Sequence, residues 1–334
     1  MPATSCPLVS VIVVNFNGRS HVPECLDAVL AQTYPNVEII LVDNASVDGS
    51  ADFVRQAYPT VKLVRSDTNL GFAGGNNLGG RQASGECVFF LNDDTRADRD
   101  AVAALMRARE EHPEYAVFGS LLLDDADPSR VDSAGDTFYW MGWTFGFGGF
   151  PAVLFDRPRE IASAKGAAAL YPRALLDRVG WYDADLFWSF EDVDLSLRAR
   201  HAGARILSVP ASRVYHKGGA TSGGAKSALS VYYASRNYQL VVLKTFPWPV
   251  LLRFLPGLVF AKATQVYAAL RAGCLGACLR GNLAALPLIP RMVAARRRIL
   301  RGSKISAGEF GSLLREHMFS EWLVRRRHTR RLRG

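Results

Sequence analysis

Leu8-Val9-Ser10-Val11-Ile12-Val13-Val14 runs directly into Asn15-Phe16-Asn17-Gly18. The run is dominated by β-branched residues, which suit a buried strand, and the polar tetrapeptide stops it. The same unit recurs outward along the chain. Val37–Val42 (VEIILV) stops at Asp43, Val61–Val64 is a third apolar run, and Cys87–Leu91 (CVFFL) stops at Asn92-Asp93-Asp94. Between these runs His21–Ala31, Ser50–Ala57 and Phe72–Ala83 read as helices. In the first of them apolar residues fall at 22, 25, 26, 29 and 30, which is helical spacing. Alternation of this kind predicts an α/β fold with a mostly parallel central sheet flanked by helices. Ligands of such sheets bind beyond the carboxyl ends of the strands. NFNG, DNAS and NDDT stand at those ends.

Further on, Asp100–Glu111 reads as a helix, Ala116–Leu123 as a strand and Ala174–Val179 as a helix. Phe187–Ala202 reads as a helix with acids early and bases late, which complements the helix dipole. Arg205–Val209 reads as a closing strand ahead of Val214-Tyr215-His216. Residues 133–150 are rich in aromatics and glycine and read as a loop or hairpin able to line a pocket. The texture then changes, dividing the chain into residues 1–228, an α/β domain, and residues 229–334, a helical extension that is first apolar and then basic. Lys244, Arg253, Lys262, Arg271 and Arg280 recur at nine-residue intervals. The uncharged stretches between them fall far short of the roughly 20 residues that span a bilayer. Pro247, Pro249 and Pro256 are expected to break the segment into short helices. Two readings stand side by side: helices lying at a membrane interface with Trp248 and the basic tail as anchors, or a subdomain packed on the body.

The chain has 334 residues, a net charge of +9 and 49% hydrophobic residues, enough apolar matter for a large core. Thirteen basic and three acidic residues lie between Arg291 and Gly334, so the rest of the chain is close to neutral. A neutral body excludes a nucleic-acid binder built around its fold. The basic tail suits an anionic membrane surface, or is simply solvated. Five cysteines without a CxxC pair argue against a disulfide framework and a thiolate zinc site, and fit a reducing compartment. The opening MPATSCPLVS lacks the basic region of a signal peptide.

Three clusters carry candidate chemistry. Asn92-Asp93-Asp94, at a strand end, either holds Mg²⁺ or Mn²⁺ through one or two oxygens or is a solvated turn opening the next helix. Asp43 can accept from a ribose hydroxyl or a base N–H, yet the GxGxxG dinucleotide fingerprint is absent after the first strand. Glu191-Asp192-Val193-Asp194 follows an aromatic run. It is either a general base in an aromatic-walled pocket or an acidic helix start, with Asp194 the structural member. His216 alone is more often structural than a ligand.

SVIVVNFNG, LVDNASVDGS, NLGFAGGNN, FLNDDT and FWSFEDVDLSLRARHAGARI, in this order from about Leu8 to His216, resemble the family 2 glycosyltransferases. NLGFAGGNN and GAAALYPRALLDRVGWYDADLFWSFEDVD resemble their rhamnosyltransferase-like subset, enzymes of bacterial cell-surface polysaccharide assembly. The resemblance implies a GT-A fold, while the apolar segment and the basic tail make the C-terminal extension a membrane-associating one. It implies that Asn15, Asn17 and Asp43 contact the base and ribose of a nucleotide-sugar donor, with Gly74 and Asn76 in the same donor site. Asn76-Asn77 stands where many relatives carry Arg-Asn, so a cationic contact is missing. Asn92-Asp93-Asp94 stands at the DXD motif with Asn in first place. Asp94 is then the metal ligand, Asn92 a weaker one, Asp93 faces the donor, and His216 completes the metal shell. Asp192 takes the place of the catalytic base, with Glu191 as fallback.

The implied reaction is an inverting, Mg²⁺- or Mn²⁺-dependent transfer of a sugar, rhamnose favoured, from dTDP-rhamnose or a UDP-sugar such as UDP-galactose. The implied acceptor is a hydroxyl of a lipid-linked glycan or polysaccharide precursor at the cytoplasmic face of the cell membrane. A sugar nucleotidyltransferase would need a glycine- and lysine-rich phosphate loop after the first strand, which NFNGRSH lacks. An inactive scaffold subunit is argued against by the joint presence of Asp94, Asp192 and His216.

Overall fold

The computed structural model describes residues 6–138, 144–219 and 227–313. Its first half follows the alternation: β1 (Val9–Asn15), α1 (Val22–Leu30), β2 (Val37–Asn44), α2 (Ser50–Ala57), β3 (Lys62–Ser66), α3 (Gly71–Gly80) and β4 (Cys87–Asn92). These four strands are parallel, in the order β4-β1-β2-β3. The second half comprises β5 (Thr95–Ala97), α4 (Ala101–Glu111), β6 (Val117–Asp124), β7 (Val131–Ser133), a hairpin of β8 (Thr137–Phe138) and β9 (Thr144–Phe145), and β10 (Arg159–Glu160). It continues with β11 (Ala168–Pro172), α5 (Arg173–Val179), α6 (Glu191–His201) and β12 (Ile206–His216). Here the sheet is mixed. β12 runs parallel to β6, but β11 is inserted antiparallel between β4 and β6. Ala168-Ala169-Leu170-Tyr171-Pro172 has little intrinsic strand preference; its two neighbours in the sheet decide its state.

Strand alternation sets the two layers. Val9, Val11 and Val13 of β1 face α1, α2 and α4 in one core, while Ile12 joins α3, α5 and α6 in the other. The glycines of α3 let it lie close on the sheet: a Cβ at Gly75 would come within 2.7 Å of Val14, and one at Gly79 within 2.6 Å of Ile12. The aromatic-glycine segment begins with the expected hairpin; residues 139–143 within it lie outside the described residues.

Two elements depart from the sequence reading. The helix expected from Phe187 starts only at Glu191. Phe187, Ser189 and Phe190 all take positive φ, at 62°, 71° and 69°. Such backbone costs roughly 1–3 kcal/mol per residue and persists only where surroundings over-determine it. The second departure is in the extension, which forms α7 (Ala228–Thr245), α8 (Trp248–Arg271), α9 (Leu275–Ala285) and α10 (Ile289–Arg301). Pro247 does separate α7 from α8, and Pro249 sits in the first turn, but Pro256 lies inside the continuous 24-residue α8. Pro256 and Leu252, whose carbonyl it leaves without a partner, are both exposed, so water can take that carbonyl.

α7 packs on the α/β body. Tyr238, Leu240, Val241 and Phe246 share a third core with Leu186, Val193 and Leu197. No helix among the described residues is long and apolar enough to cross a membrane. The tail from residue 314 onward lies outside the described residues.

Candidate functional site

The sheet register assembles the site. Val14 of β1 pairs with Asn92 at the end of β4, and His216 at the end of β12 pairs with Thr95 of β5. The turn Asn92-Asp93-Asp94 is therefore held against His216. His216 Nε2 lies 3.2 Å from Asp94 Oδ1 and 3.4 Å from the Asn92 side-chain amide. His216 Nδ1 lies 2.8 Å from Asp132 Oδ2 of β7. Asp93 and Asp94 are each 7% exposed. Burial and the neighbouring Asp94 push the Asp93 carboxyl up to about 7. Burial also opposes ionisation of Asp94, but His216 more than offsets it and holds that carboxyl below the usual range. Burial disfavours the imidazolium of His216, yet Asp132 and Asp94 raise it to about 10. Asn92 Oδ1 and Asp93 Oδ2 are buried without a hydrogen-bond donor. Unspent acceptor oxygens beside an imidazole fit a divalent cation of the Mg²⁺ or Mn²⁺ kind. Among the described residues no group of three His, Cys, Asp or Glu side chains forms a fuller shell.

These residues line a cavity of about 290 Å³. Its opposite wall is aromatic: Phe187, Trp188 and, from α7, Tyr233. The Phe187 and Tyr233 rings stack at 5.2 Å and 11°. Asn44, Asn69 and Phe72 also border the space. Sequence reasoning missed the contribution of α7, because Tyr233 lies beyond the point where the motifs fade.

The other expected donor residues do not line this cavity. Asn15 is fully buried and spends its amide on Asp43, Ser46 and Ser50 at 3.3, 3.0 and 2.8 Å, while its oxygen accepts from the Gly18 N–H. Asp43 is fully buried between Asn15 and Arg65. Asn17 is exposed and accepts from the Val47 N–H. Asn76 is buried and caps the Phe72 carbonyl, and a Cβ at Gly74 would meet Leu70 at 2.7 Å. Asn77 bridges to the backbone of Tyr182 in both directions. In this structure these residues form the framework behind the site.

Asp192 is half-buried and is not among the residues lining this cavity, although Trp188, four residues before it in sequence, is. Its Oδ2 accepts from the Gly166 N–H at 3.2 Å and its Oδ1 from its neighbour Val193 at 2.8 Å. Glu191 is 5% exposed, and burial together with Asp192 raises its carboxyl well above the usual range. Burial therefore favours the protonated form of Glu191. Lys165 pairs with buried Asp136 at 3.1 Å close by, and burial holds Asp136 up at about 6. Nothing in SAKGAAAL marked that lysine in advance.

The strained loop ahead of Asp192 is held from α7. The Asn237 amide donates to the carbonyls of Leu186, Trp188 and Ser189 at 2.7, 2.9 and 2.7 Å. Asn237→Ala is expected to cost about 2–3 kcal/mol, because buried carbonyls lose their donor. Urea unfolding measures it; a loss within experimental error would show that the loop holds itself.

An α/β sheet with an acidic turn and a histidine at its strand ends, facing an aromatic-walled cavity, is the arrangement of a GT-A glycosyltransferase. The model for Glycosyl transferase family 2 matches residues 10–180, and the chain belongs to that family. The chain is 27% identical over 255 residues to the N-acetylglucosaminyl-diphospho-decaprenol L-rhamnosyltransferase of Mycobacterium tuberculosis, covering 68% of this chain and 82% of that protein. Among solved structures it is similar to the mannosyltransferase PcManGT from Pyrobaculum calidifontis in complex with GDP-Man and Mn²⁺. That match has a TM-score of 0.55 at 21% identity over 90% of this chain and 86% of the other. TarS 1–349 from S. aureus matches with a TM-score of 0.53 at 18% identity, over 95% and 91% of the two chains. The chain is thus a glycosyltransferase of the GT-A fold with a helical C-terminal region.

Proposed function

We propose that the chain transfers a sugar, rhamnose favoured, from a nucleoside diphosphate donor to a hydroxyl of a lipid-linked glycan, inverting the anomeric centre. The convergence of Asn92, Asp93, Asp94 and His216 on one cavity carries this reading. The mycobacterial relative, named for a rhamnosyl transfer to a lipid diphosphate sugar, supports the donor and acceptor classes. A UDP-hexose such as UDP-galactose is the alternative donor, and TarS has been solved with UDP-GlcNAc. Association with the inner face of the cell membrane belongs to the same reading, as does the division into a catalytic part, 1–228, and an extension, 229–334.

Asp94 and His216 would hold Mg²⁺ or Mn²⁺, with Asn92 the weaker ligand. When bound, the cation supplies positive charge to the leaving nucleoside diphosphate. Asp132 fixes the orientation of His216 through Nδ1. Phe187, Trp188 and Tyr233 exclude water from the reacting centre. Asp192 accepts the proton of the acceptor hydroxyl, whose oxygen bonds to the anomeric carbon as the bond to the diphosphate oxygen breaks. Burial favours the protonated form of Glu191, which leaves it the weaker candidate for that task.

Thermal unfolding with dTDP-rhamnose or UDP-sugars, in Mn²⁺ or EDTA, tests the reading. A ligand at 100 times its Kd stabilises the folded chain by about 2.7 kcal/mol. One nucleotide sugar is expected to raise the midpoint in Mn²⁺ and not in EDTA, and Asp94→Ala is expected to abolish the difference. The same shift in EDTA, or in the Asp94 variant, would overturn the ligand assignment. Absence of any shift, with no donor hydrolysis, would favour the inactive scaffold.

A further inference from the structure

From Phe254 to Leu270 the only charged residue of α8 is Lys262. Its Nζ is turned inward, to the Ser235 carbonyl at 3.1 Å and the Gln265 side chain at 2.9 Å. Seventeen residues of helix, about 25 Å, therefore present no charge outward. The buried residues of α8 are Val250, Phe254, Gly257, Ala261 and Ala269, with Leu251 and Leu258 partly buried against the third core. Trp248, Leu252, Leu255, Val259, Phe260 and Tyr267 are between 51% and 68% exposed. α9 and the turn after it add Leu279, Leu283 and Leu286, each at least 50% exposed. An isolated exposed leucine needs no explanation, but a contiguous surface of this kind marks an interaction site.

Charge decides what it meets. No aspartate or glutamate occurs anywhere from Leu195 to Gly308. Arg253, Arg271 and Arg280 are exposed and border the apolar surface. A second copy would bring the same cationic rim against itself. An anionic lipid surface complements both the apolar face and its rim. We propose that the exposed face of α8 and α9 is a docking surface for an anionic bilayer, lying in the interface without crossing it. α7 links this surface to the site: Leu229 and Tyr233 near its start wall the cavity, and its length packs on α8 and α9. A lipid-linked acceptor would then reach the cavity from the bilayer along α7. That delivery rests on the transferase reading; the docking surface does not.

The test is sedimentation of the full-length chain with vesicles of phosphatidylcholine alone, or with about a third phosphatidylglycerol. Binding to the anionic vesicles is expected, weakening as salt is raised. Leu252→Glu with Val259→Glu is expected to lower the partition coefficient at least about tenfold. Arg253→Gln with Arg271→Gln and Arg280→Gln is expected to lower it about a hundredfold at low salt, since each cation near such a surface is worth about fivefold. No binding by the native chain, or equal binding by both variants, overturns the proposal. A native dimer in solution that the glutamate variants split assigns the face to a second copy instead. A lowered thermal midpoint in those variants assigns it to cover by the chain's own residues 314–334, and both results also overturn it. The donor-induced thermal shift is read on the same variants. Its retention when vesicle binding fails separates the failure of docking from the failure of the transferase reading.

Discussion

Asp192→Asn is expected to lower turnover by about 10²–10⁴-fold, the usual worth of a positioned base, with donor affinity unchanged. The substitution is close to isosteric, so an oxygen can still accept from the Gly166 or Val193 N–H and the start of α6 is retained. What it removes is the ability to take a proton. A fall confined to kcat, with KM for the nucleotide sugar and the thermal shift preserved, is the signature of a group acting in the transition state alone. Glu191→Gln is the paired control. Burial favours the protonated form of Glu191, so its amide is expected to leave turnover within a few-fold of the parent. If Asp192→Asn turns over normally, the proton goes elsewhere. If the Glu191 variant is the dead one, the two roles are exchanged.

Asp194→Ala is expected to destabilise the fold by about 3 kcal/mol, because it takes from two buried cations the carboxylate they share. Asp194 is fully buried, Arg198 Nε lies 2.7 Å away and Lys244 Nζ 2.8 Å. Arg198 and Lys244 expose only 6% and 4% of their side chains, so water cannot take over. Lys244 also reaches Asp183 at 2.6 Å, tying α7 to the loop before the active site. Burial opposes ionisation of Asp194, and Arg198 with Lys244 overcomes it, leaving the carboxyl below its ordinary value. The sign of the pH dependence follows. A depressed acid contributes its stability above the unfolded carboxylate range, and that stability is lost as pH falls through the folded value. Acid unfolding of the parent should therefore steepen below about pH 4, and the Asp194 variant should lack that share of it. Chemical denaturation across pH measures both; a cost under about 1 kcal/mol would mean that the cations find other partners.

What was legible in the sequence was whatever a short window specifies. The apolar runs ending at Asn15, Asp43 and Asn92 gave three parallel strands and located the active edge. The acidic turn and His216 were found as types, and the register of β1, β4 and β5 with β12 then brought them together. What escaped depended on partners distant in the chain. β11 is a strand because β4 and β6 flank it. The aromatic run Phe187–Phe190 looks helical in isolation, but three of its residues take positive φ, and Asn237, about 50 residues later, holds the carbonyls of Leu186, Trp188 and Ser189. The spacing within the acidic trio marks Asp194 as structural, and the ion network supplies the reason. Pro256 reads as a break because the exposure of its side of α8 is not visible in a local window.

The anchoring of the Phe187–Phe190 loop by Asn237 constrains how relatives of this chain can be recombined. The seam at residue 228 looks like a natural crossover point for building chimaeras that exchange acceptor preference. A graft there would pair a foreign first half with a helix whose amide must meet three carbonyls it did not evolve beside. The graft is viable only if the incoming helix brings a side-chain amide to the position of Asn237 and a cation to that of Lys244. Otherwise the hybrid keeps every motif of the first half and still loses the conformation that presents Asp192. The inheritable unit therefore includes the α/β body together with α7.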